Sequence, residues 1–334
     1  MMILAKPLAA AAALLLGTSA LFAQEADPAV IFDLGGKFDR SFNQASYEGA
    51  ERFKAETGIG YHEFELQSDA QREQALRRFA EQGYNPVVVA GFSNESAMKA
   101  VAPDYPDTHF VIIDAVVDLP NVRSVVFKEE EGSYLVGLLA AMASKTGEVG
   151  FVGGMDIPLI QKFACGYVQG VKATNPDATV FQAMTGTTGA AWNDPVRGGE
   201  LAKSQIDQGA DVIYHAAGGT GIGVLQAAAD AGVLGIGVDS NQNYLHPGQV
   251  LTSMLKRVDV ATYTAMLDAN NGTWTPGVQV LGLAQDGVGY AQDESNVALL
   301  TDEMVAAAEA AKAKIISGEI VVHDFTTDGT CPVK

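Results

Sequence analysis

The sequence predicts an α/β protein built from two similar lobes, and three observations lead to this prediction. Short apolar runs rich in Val and Ile alternate with longer amphipathic stretches, which is typical of parallel sheets flanked by helices. Three runs in the first half match three in the second half at a nearly constant spacing. The chain has 334 residues, of which 48% are hydrophobic and 18% are charged, so it can fill two cores.

In the first half, strands and helices alternate three times. The predicted strands cover residues 30–34, 86–90 and 109–114, and the predicted helices cover 41–57, 69–82 and 93–101. The first helix begins with a capping-box pattern, in which the Ser41 hydroxyl and the Gln44 side chain satisfy backbone N–H groups at the helix start. This helix start therefore lies shortly beyond the carboxyl end of the first strand.

The second half repeats the alternation. The predicted strands cover residues 148–153, 211–216 and 234–239, and the predicted helices cover 130–145, 158–174, 195–208 and 221–231. Asp194 is a suitable N-cap, and Pro195 suits the first helical position.

The two halves read as a repeat, although an alternating α/β chain can also produce such matches by coincidence. The matched pairs are Val30 and Val149, Val87 and Val212, and Val111 and Ile236, which are 119, 125 and 125 residues apart. We prefer the repeat because the matched strands end in matched residues, namely glycines and the aspartates Asp114 and Asp239. Ligands of open α/β sheets gather at such strand ends, so we expect a cleft for a small polar molecule between the lobes.

Charge and motifs exclude several classes of function. The net charge of −19 and the lack of a Lys and Arg stripe argue against nucleic-acid partners. Residues 219–223 only superficially resemble a dinucleotide loop, and the sequence has neither a phosphate-binding P-loop nor a nucleophile elbow. The five histidines lack metal-ligand spacing. We therefore predict no cofactor, no metal site and no catalytic residues.

The N-terminus predicts export. Residues 1–23 read as a cleaved signal peptide, with Lys6 before an Ala and Leu run. A membrane anchor is the alternative, but the apolar run is shorter than a membrane span. Because no cysteine lies near the cleavage site, we expect a periplasmic protein that carries no lipid.

Two aromatic residues stand at helix starts in the two halves. Phe42 and Asn43 begin the first predicted helix, and Trp192 precedes the helix start at Asp194. Phe42 could instead pack that helix on the core. Because a second aromatic residue holds the matching place, we expect the two rings to stack on a flat heterocycle.

The sequence resembles the basic membrane protein (BMP) family of ABC-transporter solute-binding proteins, of the purine-nucleoside receptor type. The stretches that carry the resemblance are DLGG at 33–36, DRSFNQ at 39–44, FVIID at 110–114, EGSYLVG at 131–137, FVGGM at 151–155, IPLI at 157–160 with Phe163, GVDS at 237–240 with Gln242, and SMLKRVD at 253–259. The resemblance implies a two-lobed type I periplasmic binding protein fold, each lobe a parallel sheet flanked by helices, with a hinge of three crossovers.

The resemblance also implies a ligand-binding set. Phe42 and Trp192 are the expected stacking pair, with Trp192 where the family pattern has phenylalanine. The other members are Asn43 and Asp114 as readers of the base, Asp239 and Lys256 as the clamp on the ribose, Gly218 as a backbone contact, and Asp39. Lys256 is also expected to offset the buried charge of Asp239.

We assign residues 24–126 plus 252–282 to lobe 1, and residues 127–251 plus 283–334 to lobe 2. The chain should pass between the lobes near residues 125–128, 251–255 and 279–285. The resulting hinge permits closure over a ligand.

The predicted function is capture of a purine nucleoside, or a similar flat heterocycle, and its delivery to ABC permease subunits in the inner membrane. We expect a monomer. The alternatives are a periplasmic nucleoside hydrolase, in which Asp114 or Asp239 activates water, and a receptor of the same fold that presents its ligand for signalling.

Cys165 and Cys331 are the only cysteines in the chain. An even count in an oxidising compartment favours a disulfide that ties the C-terminal tail to the second lobe. The alternative is a buried free thiol at Cys165 and a reactive thiol at Cys331.

Overall fold

A computed structural model describes residues 26–333 and contains two six-stranded sheets. The first sheet consists of β1 (Ala29–Phe32), β2 (His62–Glu65), β3 (Val87–Val89), β4 (Phe110–Ile113), β5 (Val122–Phe127) and β11 (Gly277–Leu281). The second sheet consists of β6 (Glu148–Met155), β7 (Thr179–Gly186), β8 (Val212–Ala216), β9 (Leu234–Asp239), β10 (Val250–Lys256) and β12 (Val288–Tyr290). Each sheet with its flanking helices is called a lobe below.

Nine α-helices flank the sheets in the part of the chain that the structure describes. They are α1 (Phe42–Thr57), α2 (Arg72–Glu81), α3 (Glu95–Val101), α4 (Glu129–Ala143), α5 (Pro158–Thr174), α6 (Pro195–Asp207), α7 (Gly221–Asp230), α8 (Val258–Asn270) and α9 (Asp302–Ser317). α8 packs on α1 in the first lobe, and α4 packs on α5 in the second. Among residues 26–333, no helix has both the length and the hydropathy of a membrane span.

The strand order confirms the repeat. The first sheet runs β11-β5-β4-β3-β1-β2 and the second runs β12-β10-β9-β8-β6-β7, so equivalent strands hold equivalent places. All pairings are parallel except that between β10 and β12. The fold is therefore α/β in both lobes, and the carboxyl ends of the parallel strands form one edge of each sheet.

All six predicted strands and all seven predicted helices are present, with boundaries shifted by a few residues. α8, α9 and six of the strands were not predicted from the sequence. β2 carries the sequence HEFE and lies at an exposed sheet edge, so it shows none of the apolar pattern by which the buried strands were found. α8 and α9 fall outside the repeat on which the prediction was based.

The second crossover differs from its predicted place. The chain leaves the first sheet after β5, leaves the second after β10, and returns from β11 to β12. Residues 252–256, which we assigned to lobe 1, continue β10 and pair in the second sheet through Lys256. The change of lobe therefore follows Lys256 rather than falling within 251–255. Phe127, which we assigned to lobe 2, likewise ends β5 in the first sheet, and the rest of the lobe division stays a prediction.

α4 and α5 pack at unusually short range because glycines form their contact. A Cβ added at Gly137 of α4 would lie 2.2 Å from the Tyr167 carbonyl oxygen. A Cβ at Gly170 of α5 would lie 2.0 Å from the Tyr134 carbonyl oxygen. The start of α4 packs in the same way on the middle of α5, since a Cβ at Gly166 would lie 2.4 Å from the Glu130 carbonyl oxygen.

The predicted disulfide between Cys165 and Cys331 is present, with a Cα–Cα distance of 5.6 Å. It joins α5 to the C-terminal tail. The tail is also held by Gln169, whose side chain accepts from the His323 N–H and donates to its carbonyl oxygen. The predicted signal peptide, residues 1–23, lies outside the described residues.

Candidate functional site

A cavity lies between the lobes at the carboxyl edges of both sheets and encloses about 570 Å³ of space, including its open mouth. Its lining residues are Asp33, Leu34, Asp39, Phe42, Asn43, Gly91, Phe92, Asp114, Leu159, Ile160, Phe163, Trp192, Ala216, Ala217, Gly218, Val238, Asp239 and Lys256. All eight residues predicted for the ligand-binding set are among them. We call this space the cleft cavity.

The start of α1 forms the wall from the first lobe. The predicted capping box is wrong, because Ser41 makes no side-chain capping bond. Asp39 caps the helix instead, and its carboxylate accepts from the backbone N–H groups of Ser41, Asn43 and Gln44 at 2.8, 3.0 and 3.1 Å. Burial raises the Asp39 pKa to about 6, although these hydrogen bonds act against the rise.

Asn43 holds α1 to the end of β1. Its Oδ1 accepts from the Asp33 N–H at 2.9 Å, and its Nδ2 donates to the Asp33 carbonyl at 3.3 Å and to Asp39 Oδ2 at 3.2 Å. Asp33 in turn pairs with Arg72 at 2.6 Å. The Asn43 amide is thus engaged within the first lobe, so it can reach a ligand only by exchanging one of these partners.

Asp114 and Asp239 occupy equivalent places at the ends of β4 and β9. Both have left-handed backbones, with φ of 71° and 63°, a conformation that aspartate tolerates better than most residues. Burial raises the pKa of each carboxyl to about 6, against the lowering effect of the Lys256 ammonium. Oδ1 of Asp114 has no hydrogen-bond partner among the described residues and remains available as an acceptor.

Lys256 ends β10 inside the cleft cavity and is almost fully buried. We expected it to offset Asp239, but its direct partners are Asp114 Oδ2 at 2.7 Å and Glu129 Oε1 at 2.9 Å. Burial alone would lower the Lys256 pKa, but Asp114 and Glu129 outweigh burial and hold it above its ordinary value. The side chain therefore stays charged.

Three phenylalanine rings surround the Lys256 ammonium. The ring centroids of Phe42, Phe127 and Phe163 lie 5.3, 5.1 and 5.4 Å from Nζ. Aromatic faces attract cations at this range. Phe42 therefore borders both the ammonium and the open part of the cavity.

The lobes also touch directly at the rim of the cavity. Ser41 Oγ donates to Asp239 Oδ2 at 2.5 Å, and Ser240 Oγ donates to the Ser41 carbonyl at 2.9 Å. Gln242 Nε2 donates to the Arg40 carbonyl at 3.0 Å. We call these three hydrogen bonds between residues 40–41 and 239–242 the inter-lobe contact.

Trp192 enters the cavity from the segment between β7 and α6. A Cβ added at Gly154 would lie 2.2 Å from Trp192 Cζ3, so the ring packs directly on the glycine backbone. Thr220 braces the segment, since its Oγ1 donates to the Ala191 carbonyl and accepts from the Asp194 N–H. The predicted N-cap is confirmed, because Asp194 accepts from the Arg197 N–H.

Two further aromatic residues and one carboxylate belong to the site but were not predicted for it. Phe92 lines the cavity after β3, with its ring centroid 6.4 Å from that of Trp192. Phe163 stood among the stretches of the resemblance, which was the available signal. Glu129 is the first of three consecutive glutamates, a pattern that by itself indicates a helix start.

The chemistry of the cavity suits a neutral, flat ligand with hydroxyl groups. Carboxylates supply acceptors, Lys256 supplies donors, and aromatic rings supply stacking surfaces. Among residues 26–333, no cluster of three His, Cys, Asp or Glu side chains could hold a metal ion.

Comparison with known proteins identifies the family. Residues 27–326 match the model of the Bmp family, described as ABC transporter substrate-binding protein, PnrA-like. A nucleoside-binding ABC transporter protein of Lactococcus lactis, named BmpA, is 33% identical over 92% of this chain and 91% of its own length. An uncharacterized lipoprotein of Pyrococcus abyssi is 36% identical over 80% of this chain and 69% of its own.

A solved structure supports the fold assignment. An ABC transporter solute-binding protein of Aeropyrum pernix superimposes with a TM-score of 0.82 at 31% identity, over 89% of this chain and 94% of that one. The type I periplasmic binding protein fold is thus confirmed. The lipoprotein name of the Pyrococcus relative differs from our expectation of an unlipidated protein. On the match over residues 27–326 and on these relatives, the chain belongs to the Bmp family of ABC transporter substrate-binding proteins.

Proposed function

We propose that the chain captures a purine nucleoside in the cleft cavity and delivers it to an ABC permease. The observation that carries this proposal is the composition of the cavity, which combines aromatic rings from both lobes with carboxylates at equivalent strand ends. The nucleoside-binding name of the Lactococcus lactis relative supports the same ligand class.

The base is bound by the aromatic residues and by the first lobe. Phe42 and Trp192 stack on its two faces, and each stacking contact contributes about 1 to 3 kcal/mol. Asn43 and Asp114 read its edge, and the unpartnered Asp114 Oδ1 supports this role for Asp114. Asn43 exchanges its bond to Asp39 for one to the base.

The ribose is bound by the second lobe. The Asp239 carboxylate accepts from ribose hydroxyls, Lys256 donates to ring or hydroxyl oxygens, and Gly218 adds a backbone contact. The positions of these residues at the ends of β9 and β10 and after β8 support this division, because the three strands are neighbours in the second sheet.

The partners and compartment follow from the transport role. We propose a monomer in the periplasm that diffuses to permease subunits of the inner membrane. We also propose that the mature chain carries no lipid, since its two cysteines are joined in the disulfide far from the N-terminus. The intact mass of the purified mature protein tests this point, because a diacylglyceryl group would add several hundred daltons.

The ligand is tested in two steps. Mass spectrometry of the protein purified without refolding should detect a co-purifying purine nucleoside. After ligand removal, calorimetric titration with inosine, guanosine, adenosine, uridine and hypoxanthine should give the lowest Kd for one of the purine nucleosides. Binding of none of the three purine nucleosides would refute the proposal.

The same preparation separates binding from hydrolysis. When the protein is incubated with excess inosine, a binding protein leaves the nucleoside intact, whereas a hydrolase releases free hypoxanthine with turnover. Steady release of more than one equivalent of the base per chain would show that the protein is a nucleoside hydrolase and would refute the proposed binding function.

A further inference from the structure

We propose that Glu129 is a positioning residue of the ligand site, and that its charge holds the Lys256 ammonium so that an N–H not used by Asp114 donates to the sugar of the bound nucleoside. This inference rests on the proposed function. The carrying observation is a buried row of alternating charges, Asp114, Lys256, Glu129 and Lys162, that runs from the cleft cavity into the second lobe.

Glu129 divides its carboxylate between two cations. Oε1 lies 2.9 Å from Lys256 Nζ, and Oε2 lies 3.1 Å from Lys162 Nζ. The side chain is 1% exposed, so both ion pairs are shielded from water. Burial would raise the Glu129 pKa, but the two ammonium groups outweigh burial and lower it. Glu129 therefore stays ionised between them.

Lys162 is itself held in place from the side away from the cavity. Its Nζ donates to the Phe127 carbonyl at 2.7 Å and lies 3.3 Å from Glu130 Oε2 and 3.4 Å from Asp324 Oδ2. Lys162 cannot swing toward the cavity without breaking these contacts. It is therefore a fixed support for Glu129.

The position of Glu129 in the fold explains why the Glu129–Lys256 ion pair matters for the cavity. Glu129 begins α4 directly after the first crossover, and Lys256 ends β10 directly before the second. Their ion pair thus ties two of the three chain passages between the lobes to each other. Asp114, the other partner of Lys256, belongs to the first lobe.

The direction of the Lys256 ammonium follows from these partners. An ammonium group has three donors in fixed tetrahedral directions. Asp114 Oδ2 accepts a hydrogen bond from one of them. Glu129 Oε1 attracts the ammonium from 2.9 Å as an ion pair without accepting a hydrogen bond, so a donor is left for a ligand in the cavity that Lys256 lines. Without the Glu129 charge, the ammonium is free to turn onto Asp114, and the donor to the sugar is lost.

The test compares two neighbouring glutamates of α4. Glu129→Gln removes the charge of one partner of Lys256 and of one partner of Lys162. Glu130→Gln removes a partner of Lys162 only, so it is the matched control.

Two ligands are titrated into each variant. One is whichever of inosine, guanosine and adenosine binds the wild-type protein most tightly, and the other is the free base of that nucleoside. For Glu129→Gln we expect the nucleoside Kd to rise by about tenfold or more, and that of the base by less than about threefold. For Glu130→Gln both should change by less than about threefold.

A second background shows whether Glu129 acts through Lys256. In a Lys256→Gln protein, adding Glu129→Gln should change the nucleoside Kd by less than about threefold, because the group that Glu129 positions is absent. If Glu129→Gln fails to fold, Glu129→Asp keeps the charge but shortens the side chain, and the same selective loss of nucleoside affinity is expected.

The outcomes separate this inference from the proposed function. If the wild-type protein binds none of the three nucleosides, the proposed function and this inference both fall. If the wild-type protein binds a nucleoside, and the Glu129 variants bind the nucleoside and its base with the wild-type Kd values, the inference alone falls. The inference would also be overturned if Glu129→Gln weakened the binding of nucleoside and base equally, or if it weakened nucleoside binding as strongly in the Lys256→Gln background as in the wild-type protein. Either result indicates a purely structural role for Glu129.

Discussion

At the scale of single residues, the four aspartates of the cleft cavity do different work although they have the same side chain. Asp39 caps α1, and Asp33 pairs with Arg72. Asp114 pairs with Lys256 and keeps one oxygen free, whereas Asp239 accepts from Ser41 across the cleft. These contacts make Asp114 and Asp239 more available to a ligand than Asp39 and Asp33.

Trp192 provides an optical test of stacking. Because the chain has two tryptophans, a Trp274→Phe protein reports on Trp192 alone. A saturating purine nucleoside should quench or shift this emission, since the ring exchanges solvent for a stacked base. A spectrum that does not change while calorimetry shows binding would rule out stacking on Trp192.

Ionisation of the Asp239 carboxyl should make nucleoside binding depend on pH. Its pKa is raised by burial to about 6, and ribose hydroxyls bind the ionised form and lower this pKa in the complex. Affinity is therefore complete above pH 6 and is lost as pH falls through 6. One group with this pKa predicts a Kd about tenfold higher at pH 5.0 than at pH 7.5.

The Asp239→Asn variant gives the contrast for this prediction. Asp239→Asn should weaken nucleoside binding at pH 7.5 by about 1.5 to 3 kcal/mol, with a smaller loss for the free base. Its Kd should also rise less between pH 7.5 and 5.0 than that of the wild-type protein. A pH dependence as steep as that of the wild-type protein would assign the titration to another group.

All eight predicted residues line the cleft cavity. Strand ends and helix starts marked several of them, such as Asp114, Asp239 and Phe42, and the resemblance to the family supplied the full set with its roles. The sequence was not enough to find Glu129 or Ser41. The importance of each comes from a partner more than 120 residues away, Lys256 for Glu129 and Asp239 for Ser41. The Glu129–Lys256 pair depends on how α4 packs beside β10 within the second lobe, and the Ser41–Asp239 pair depends on how the lobes face each other. Local pattern contains neither arrangement.

At the scale of elements, α5 connects the cleft cavity to the C-terminal tail. Ile160 and Phe163 line the cavity from its first turns, and Cys165 lies half a turn further on in the disulfide with Cys331. The pairing was predictable from the cysteine count and compartment alone. The contacts of Gln169 and Lys162 with the tail were not, because the tail has little regular structure.

Removing the disulfide should lower stability without weakening ligand binding. The bond closes a loop of 166 residues, for which about 2 to 4 kcal/mol of stabilisation is typical. Cys331→Ser should therefore lower the Tm by several degrees. The nucleoside Kd should change by less than about threefold, because Cys331 lies outside the cavity lining. Thiol counting on denatured, unreduced protein supplies the control, and two free thiols per chain would contradict the bond.

At the scale of the whole molecule, the inter-lobe contact holds the cleft closed in this structure. Two of its three hydrogen bonds involve Ser41 or Ser240 side chains. Each such bond stabilises the closed form by about 0.5 to 1.5 kcal/mol. Losing two of them should shift the population of ligand-free molecules toward open forms.

A double variant tests this shift by X-ray scattering. Ligand-free Ser41→Ala/Ser240→Ala should have a larger radius of gyration than the wild-type protein, and a saturating nucleoside should reduce it. Ser46→Ala is the matched control, because Ser46 bonds to Thr262 within the first lobe. An unchanged radius in the double variant would show that the closed form does not depend on these bonds.

The three crossovers also dictate the order in which a newly made chain can fold. The first sheet begins at residue 29 but receives its edge strand β11 only at residues 277–281, and α1 receives its packing partner α8 only at 258–270. Until the chain has been synthesised past residue 281, β5 keeps an open edge and α1 an uncovered face. The N-terminal lobe therefore cannot be completed first, as the first of two consecutive domains can, and both lobes reach their final form together near the end of synthesis.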